Sequence, residues 1–182
     1  FSGCGGLDLG LEGGFTFLGK KYKKNPFHVV WANDINKKAT MTQALNFPDT
    51  EVVCEDITKV LSDDLEIPEA DVVVGGFPCQ DFSLAGKRQG LAVQRGQLYL
   101  SMAKVIEKVR PKVFLAENVK GLLSWENGLG IQTMVKDFEE LGYHVEYKLH
   151  NTANFGVPQT RERVIIIGVR KDIGDKVIWP KE

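Results

Sequence analysis

Six short apolar runs alternate with segments of helical periodicity along this chain, and that alternation restricts the fold more than any other feature. The runs are rich in β-branched residues and are bounded by glycine or polar residues, which is typical of buried strands. They cover residues 28–33, 51–54, 71–75, 112–117, 144–149 and 163–169. Strands that alternate with helices predict βαβ units, and therefore an α/β fold with a mostly parallel sheet flanked by helices.

Two of the segments between these runs carry an apolar stripe at helical spacing. The first stripe stops before Pro111, which cannot continue a helix, and the second stops at Gly142. Their apolar members are Leu98, Met102, Val105 and Val109 in the first and Ile131, Met134, Val135, Phe138 and Leu141 in the second. We expect both helices to cover the sheet and these residues to belong to the core.

Length and cysteine content predict one domain in a reducing compartment. The chain has 182 residues, of which 43% are hydrophobic, enough for a single sizeable core. Its three cysteines, at positions 4, 54 and 79, form no CxxC pair and are odd in number, so they predict neither a disulfide framework nor a metal site. No apolar run approaches membrane-spanning length, and no signal-peptide pattern opens the chain. We expect a soluble, cytoplasmic protein with no membrane partner.

The formal net charge of −1 does not by itself indicate nucleic-acid binding. Phosphate contacts need clustered Lys and Arg, so either the partner is not nucleic acid, or the basic surface is local or lies elsewhere. Residues 20–24 form the densest basic run, which we interpret as a solvated loop.

A cysteine follows the third apolar run directly. Val72, Val73 and Val74 lead into the sequence Gly-Gly-Phe-Pro-Cys-Gln, which contains Cys79. Ligands of α/β proteins bind at the carboxyl ends of such strands, so Cys79 is a candidate nucleophile, held on a turn that Pro78 stiffens. The alternative is a buried structural cysteine. The polar, glycine-containing segment 81–96 that follows is interpreted as a lid or binding loop, with an ordinary surface connection as its alternative.

The amino-terminal residues predict a cofactor site. A glycine-rich segment over residues 1–6 precedes a short helix, and its glycines allow a ligand to approach the backbone. Asp8 stands where a dinucleotide-binding loop has its third glycine, so a nucleoside without phosphates fits better. Asp34 follows the first apolar run and is the candidate for a ribose diol. Asp56 either accepts from the exocyclic amine of adenine or caps a helix at Ile57.

Three charged residues complete the candidate site. Glu117 ends the fourth apolar run, at the sheet edge where Cys79 is expected, and could act as a general acid or a hydrogen-bond partner. Arg161 and Arg163 are two residues apart, so in an extended segment both lie on one face, with Glu162 on the other. Two guanidinium groups on one face suit phosphate and base oxygens; the alternative is a pair of exposed surface arginines.

Taken together, four segments resemble the DNA (cytosine-5) methyltransferase family, in particular its bacterial restriction-modification or Dcm-like type. The segments are Phe-Ser-Gly-Cys-Gly-Gly at 1–6, Gly-Phe-Pro-Cys-Gln at 76–80, Glu-Asn-Val at 117–119 and Gln-Thr-Arg-Glu-Arg at 159–163, in the order of that family. The resemblance implies a Rossmann-like AdoMet-dependent methyltransferase fold. It also implies methyl transfer from S-adenosyl-L-methionine (AdoMet) to C5 of a flipped-out cytosine in double-stranded DNA, with S-adenosyl-L-homocysteine as product.

The resemblance also implies a role for each matched residue. Cys79 would attack C6 of the cytosine, and Glu117 would hold the ring at N3 and the exocyclic amine. Arg163 would contact the base, and Arg161 would help orient the base and the backbone. The residues implied to bind the cofactor are Phe1, Ser2, Gly3, Cys4, Gly5, Gly6, Asp34, Ile35, Asp56, Ile57, Pro78 and Leu98. Ile35 stands where members of that family often carry tryptophan. The residues implied to contact DNA are Gln80, Ser83, Lys87, Arg95 and Gln159.

Residues 1–182 are expected to be a catalytic AdoMet-binding domain that is incomplete. Nothing in the chain resembles the family's first strand, its target-recognition region or its last motifs, so we expect a missing region or a second chain to carry them. The protein is expected to associate with the nucleoid through DNA. Two alternatives stay open: a tRNA cytosine-5 methyltransferase, whose proline-proline-cysteine pattern fits residues 76–79 less well, and a non-catalytic AdoMet-binding subunit or remnant.

Overall fold

In the computed structural model, the described residues are 1–78 and 97–181, and they form two compact units, Phe1–Pro68 and Glu69–Glu182. Five predicted site residues lie outside the described residues, together with the rest of the segment 81–96. They are Cys79, Gln80, Ser83, Lys87 and Arg95.

The first unit contains a βαβ element preceded by a short helix and a small hairpin. Helix α1 (Gly6–Glu12) is followed by the antiparallel strands β1 (Thr16–Phe17) and β2 (Lys20–Lys21). Strand β3 (Trp31–Asp34), helix α2 (Lys37–Asn46) and strand β4 (Glu51–Cys54) follow, and then helix α3 (Ile57–Ser62). β3 and β4 are parallel, and Asp34 pairs with Cys54 at their carboxyl ends.

The basic run of this unit differs from its prediction. Residues 20–24 are exposed, as expected, but Lys20 and Lys21 form a strand instead of a loop. The connecting residues Leu18 and Gly19 both have positive φ, of 47° and 77°. Positive φ at both central residues is the conformation of a tight two-residue hairpin turn. The lysine run alone did not indicate this turn.

The second unit is a four-stranded mixed sheet with helices between its strands. Strand β5 (Val72–Gly75), helix α4 (Gln97–Val109) and strand β6 (Val113–Val119) come first. Short 3₁₀ turns then lead to helix α5 (Leu129–Glu140), followed by strands β7 (Tyr143–Asn151) and β8 (Glu162–Arg170). The strand order is β5-β6-β8-β7, so the last strand in the chain lies inside the sheet.

The predicted α/β class is confirmed, and the structure adds the direction of each strand. β5 and β6 are parallel, whereas β8 is antiparallel to both β6 and β7. β7 and β8 are joined by a short connection, which suits an antiparallel pair, because parallel neighbours need a longer crossover. The strands begin and end close to the predicted bounds, although β3 begins at Trp31, three residues after its predicted start.

The core of the second unit lies under β6 and β8. Phe114 of β6 is fully buried, with its ring centroid 4.6 Å from that of Phe138 on α5 and 5.2 Å from that of Tyr143. The predicted helical stripes face inward, since Met102 and Val105 on α4 and Ile131, Met134 and Phe138 on α5 are buried. Of the helices in the described ranges, none is long and apolar enough to cross a membrane.

Candidate active site

Glu117 lies where the sequence predicts it, at the carboxyl end of β6 and beside the turn that follows β5. Gly75 pairs with Ala116 in the parallel ladder, which places Gly76 next to Glu117. A Cβ atom added to Gly76 would be 3.1 Å from Oε2 of Glu117. The carboxylate therefore lies against the backbone of the turn that leads to Cys79, and a larger residue at position 76 would crowd it.

Asn118, the next residue of β6, connects this strand to the same turn. Its side chain is 1% exposed, and its Nδ2 donates a hydrogen bond of 3.2 Å to the carbonyl of Phe77. Its Oδ1 accepts from the backbone nitrogen of Val119 at 2.8 Å. No role is predicted for Asn118 from the sequence, although its place in the Glu-Asn-Val segment is a signal. Because both polar atoms of this buried side-chain amide are hydrogen bonded, Asn118 holds the segment that precedes Cys79 against β6.

The two arginines converge on one oxygen of Glu117. Nε of Arg163 is 2.7 Å from Oε1 of Glu117, and Nη2 of Arg161 is 3.9 Å from the same atom. The N–H of Arg163 Nε is not aligned for a hydrogen bond with any described residue, so the contact with Glu117 is an ion pair without hydrogen-bond geometry. Both arginines are on one face, as the spacing predicts, and Glu162 pairs with Lys120 instead, at 2.9 Å.

The burial of the two arginines differs. The side chain of Arg163 is 22% exposed and that of Arg161 is 49% exposed. Arg163 lies within β8 and is largely buried, so it does not fit the alternative interpretation of the pair as exposed surface arginines. Arg161 is therefore the more accessible of the two to a ligand. Gln159, two residues earlier, is exposed.

In the first unit, the glycine-rich segment is bound to the end of β3. The backbone nitrogen of Ser2 donates to the carbonyl of Asn33 at 2.9 Å, and Ser2 Oγ accepts from the nitrogen of Asn33 at 3.2 Å. The nitrogen of Gly3 donates to Oδ2 of Asp34 at 2.9 Å. The predicted nucleoside loop and the predicted ribose carboxylate are therefore in direct contact.

The glycines of this loop leave room for a ligand next to the backbone. A Cβ atom added to Gly3 or Gly6 would meet nothing within 4 Å, and Gly3 has a φ of 61°. Gly5 has a different role, because a Cβ there would be 2.5 Å from the ring of Phe47. Open space above backbone amides, beside a carboxylate, suits a nucleoside with a free ribose diol. The backbone amides of the glycine-rich segment and the Asp34 carboxylate therefore fit AdoMet, the cofactor that the resemblance implies.

Asp56 caps helix α3, which was one of its two predicted roles. Its Oδ1 accepts from the backbone nitrogen of Thr58 at 2.8 Å and from Oγ1 of Thr58 at 2.7 Å. These hydrogen bonds to the Thr58 hydroxyl and amide lower the pKa of the Asp56 carboxyl. Ile57 is buried at 6% exposure, whereas Ile35 is 69% exposed.

The remaining predicted cofactor residues are spread over both units. Phe1 and Ser2 are half-buried, Cys4 is exposed, Pro78 is exposed on the turn after β5, and Leu98 is half-buried in the first turn of α4.

Comparison with known proteins identifies a single family. A model of the C-5 cytosine-specific DNA methylase family matches residues 1–181. Type II methyltransferase M.NgoFVII from Neisseria gonorrhoeae is 45% identical over 174 residues, which are 96% of this chain and 43% of that protein. Type II methyltransferase M.FnuDI from Fusobacterium nucleatum is 40% identical over 173 residues, 95% of this chain and 46% of that protein. The chain thus spans less than half the length of these curated relatives.

Solved structures give the same fold. A prophage-encoded DNA modification methyltransferase from E. coli has a TM-score of 0.71 and 28% identity, with 95% of this chain and 46% of that chain covered. The S. pombe Dnmt2 methyltransferase has a TM-score of 0.66 at 24% identity, covering 85% of this chain and 46% of that one. At that identity, the second comparison supports the fold alone.

Proposed function

This chain belongs to the C-5 cytosine-specific DNA methylase family, and from that premise we propose that the protein transfers a methyl group from AdoMet to C5 of cytosine in double-stranded DNA. The observation that carries the proposal is the convergence of Arg161 and Arg163 on the Glu117 carboxylate. That carboxylate lies against the turn preceding Cys79. A carboxylate and two guanidinium groups at this edge can bind the polar edge of a base beside a thiol nucleophile.

In this proposal, Cys79 is the nucleophile. Its thiolate attacks C6 of the cytosine and forms a covalent bond, which moves electron density to C5. AdoMet, when bound, supplies the electrophilic methyl group that C5 takes up. Loss of the C5 proton and departure of the thiolate from C6 then restore the ring double bond and regenerate Cys79. The target cytosine has to leave the helix first, because neither face of C5 and C6 is accessible within the base stack.

Glu117 and the arginines act on the base during this attack. One oxygen of the Glu117 carboxyl group accepts from the exocyclic amine and the other shares a proton with N3, so that the group holds the ring and offsets the negative charge that thiolate attack places on it. Arg163, in ion-pair contact with Glu117, keeps that side chain in place. Arg161, which is more exposed, reaches the base and the DNA backbone. Asn118 holds Phe77, two residues before Cys79, against β6.

The first unit supplies most of the proposed AdoMet site. The Asp34 carboxylate would accept from the ribose hydroxyls, and the backbone from Ser2 to Gly6 would hold the methionine portion. Phe1 would pack against the adenine, Asp56 and Ile57 would lie at its edge, and Ile35 is proposed as a further contact of the cofactor. Cys4 would contribute its backbone, and Pro78 and Leu98 of the second unit are proposed as further cofactor-binding residues. The DNA contacts are proposed for Gln80, Ser83, Lys87, Arg95 and Gln159.

We further propose that residues 1–182 act as one catalytic AdoMet-binding domain of a longer enzyme or of a two-chain enzyme. The lengths of the curated relatives support this proposal, since each is more than twice as long as the matched segment. A cytoplasmic, nucleoid-associated location follows from DNA as the substrate.

The decisive experiment measures transfer of a tritiated methyl group from AdoMet to DNA, with tRNA as a parallel substrate. It uses the natural polypeptide that contains this chain, and the product is mapped to the cytosine carbon. We expect label at C5 in DNA, none after Cys79→Ser, and an AdoMet affinity in that variant within about threefold of the parent, because the thiol acts in the chemical step. DNA containing 5-fluorocytosine should trap a covalent complex with the parent only, since the C5 proton is replaced.

Glu117→Gln tests the carboxylate in the same assay. Removing one group that stabilises developing charge typically costs about 10²–10³-fold in rate, and we expect a loss of that size. Glu69→Gln is the matched control, because Glu69 is exposed and precedes β5 at the opposite end of the strand. Label in tRNA but not in DNA, or undiminished transfer by Cys79→Ser, would refute the proposal.

A further inference from the structure

Arg161 and Arg163 contact the same carboxylate, but the structure holds them in different ways. Arg163 is a residue of β8, and its Cα pairs with Val119 on β6 and with His150 on β7. Its backbone is thus fixed on both sides by the sheet. β8 begins at Glu162, so Arg161 lies outside the ladder. Something other than strand pairing has to keep Arg161 near Glu117.

Burial does not hold Arg161 either. Residues 153–161 are all exposed, and this connection contains Gly156 at a φ of 82°. An exposed connection gains little from apolar packing, and its backbone moves more freely than that of the strands it joins. The distance from Arg161 Nη2 to Glu117 Oε1 is already 3.9 Å, so a small displacement of the backbone would end the ion pair.

Two neighbouring residues, Asn151 and Thr152, bind the backbone of the segment that carries Arg161. Oδ1 of Asn151 accepts from the nitrogen of Arg161 at 3.2 Å and from the nitrogen of Ala153 at 3.1 Å. The nitrogen of Thr152 donates to the carbonyl of Arg161 at 3.0 Å. Oγ1 of Thr152 donates to the carbonyl of Gln159 at 2.7 Å. Both backbone groups of Arg161 are therefore hydrogen bonded to these two residues.

We propose that Asn151 and Thr152 are positioning residues for Arg161: their side-chain hydrogen bonds, together with one backbone hydrogen bond, form a clasp that extends the β7–β8 pairing and keeps the guanidinium group at Glu117. The inference rests on the proposed function, in which Arg161 orients the base and the DNA backbone. Asn151 is the last residue of β7, where the ladder hydrogen bonds end, and its side-chain oxygen substitutes for the missing backbone acceptor.

The test compares methyl-transfer kinetics on DNA for single and double variants of the natural polypeptide. Asn151→Ala removes the acceptor, and we expect kcat/KM to fall about 10- to 100-fold, the range that a misplacement of about 1 Å produces. Asn151→Asp retains an acceptor oxygen and should recover most of the activity. Thr152→Val should be impaired and Thr152→Ser should not. AdoMet affinity should stay the same in all four variants.

A double-variant cycle separates positioning from general damage to the fold. In an Arg161→Ala background, Asn151→Ala should cause no further loss, because the group that it positions is already absent. An equal loss in both backgrounds, or no loss in the parent background, would overturn the inference. Thr42→Val is the matched control, since its hydroxyl donates to the carbonyl of Lys38 on an exposed helix surface in the first unit. It should leave the kinetics unchanged.

Hydrogen exchange gives a second readout that does not require activity. In Asn151→Ala, the peptide that covers residues 157–163 should exchange faster, whereas the β6 peptide should keep its protection. If the parent enzyme transfers no methyl group to DNA, the proposed function fails, and the exchange result still decides whether the clasp exists. Unchanged exchange at residues 157–163 would refute the clasp whatever the kinetics show.

Discussion

Gly168→Ala tests the packing that holds β6 and β8 together beneath the candidate active site. Gly168 pairs with Phe114 in the antiparallel ladder of these strands. A Cβ atom on Gly168 would be 2.7 Å from Cδ1 of Phe114 and closer still to Cε1 and Cζ. Carbon atoms in contact are normally about 3.5–4.0 Å apart, so the added methyl group overlaps the ring by roughly 1 Å or more.

The ring of Phe114 has no room to move away from that methyl group. It is fully buried and packs against the rings of Phe138 and Tyr143. Overpacking of a filled core costs about 1–3 kcal/mol, and with the ring enclosed we expect a value near the upper end of that range. Without the clash, alanine in a strand would be more stable than glycine by about 0.5–1 kcal/mol. Gly168→Ala should therefore lower the free energy of unfolding, although the intrinsic strand preference of alanine over glycine would raise it.

Urea unfolding of the parent and the variants measures this free energy. Gly168→Ala should lower the free energy of unfolding by about 2–3 kcal/mol, while Gly174→Ala should change it by less than about 0.5 kcal/mol. Gly174 is the matched control because a Cβ there meets no atom within 4 Å. In a Phe114→Leu background, Gly168→Ala should cost at least about 1 kcal/mol less than in the parent. Equal costs in both backgrounds would show that the ring does not cause the effect.

Two further predictions concern carboxylates of the first unit. Asp34→Asn should raise the dissociation constant of AdoMet about 10- to 100-fold in a calorimetric titration, since hydrogen bonds to a charged group contribute roughly 1.5–3 kcal/mol each. The control is Asp49→Asn, at an exposed position, and this variant should bind AdoMet with the affinity of the parent. Asp8 is buried at 5% exposure and accepts from Gln43 Nε2 at 2.6 Å, and burial raises the pKa of its carboxyl. Its folded-state pKa lies above the unfolded value, so its contribution to stability is lost as pH rises from the unfolded pKa toward the folded one. Asp8→Asn should therefore gain stability relative to the parent between pH 4 and pH 7 in urea unfolding, and a difference that is the same at both pH values would contradict this assignment.

Much of the second unit could be predicted from local sequence patterns. β5, β6 and both long helices follow from β-branched runs, apolar stripes and the stops at Pro111 and Gly142, because these signals depend on residues close in the chain. Glu117 lies near the end of β6 and next to Gly76, since parallel neighbours share their carboxyl edge, whereas its predicted proximity to Cys79 stays a prediction because Cys79 lies outside the described residues. Local patterns also left choices open, as at Asp56, where a helix cap and an adenine contact require the same residue type.

The sequence by itself determined most of the secondary structure, the hairpin of β1 and β2 excepted, as well as the residue types of the candidate site and the family resemblance, all of which reside in short contiguous segments. Only the tertiary structure decided that β8 enters the sheet between β6 and β7, which brings Arg161 and Arg163 to a carboxylate more than forty positions away in the chain. It also decided which side chains support them, namely Asn118 at the turn and Asn151 with Thr152 at the end of β7. Strand order and register depend on pairing between distant segments, and no local periodicity encodes which strand a given residue will face.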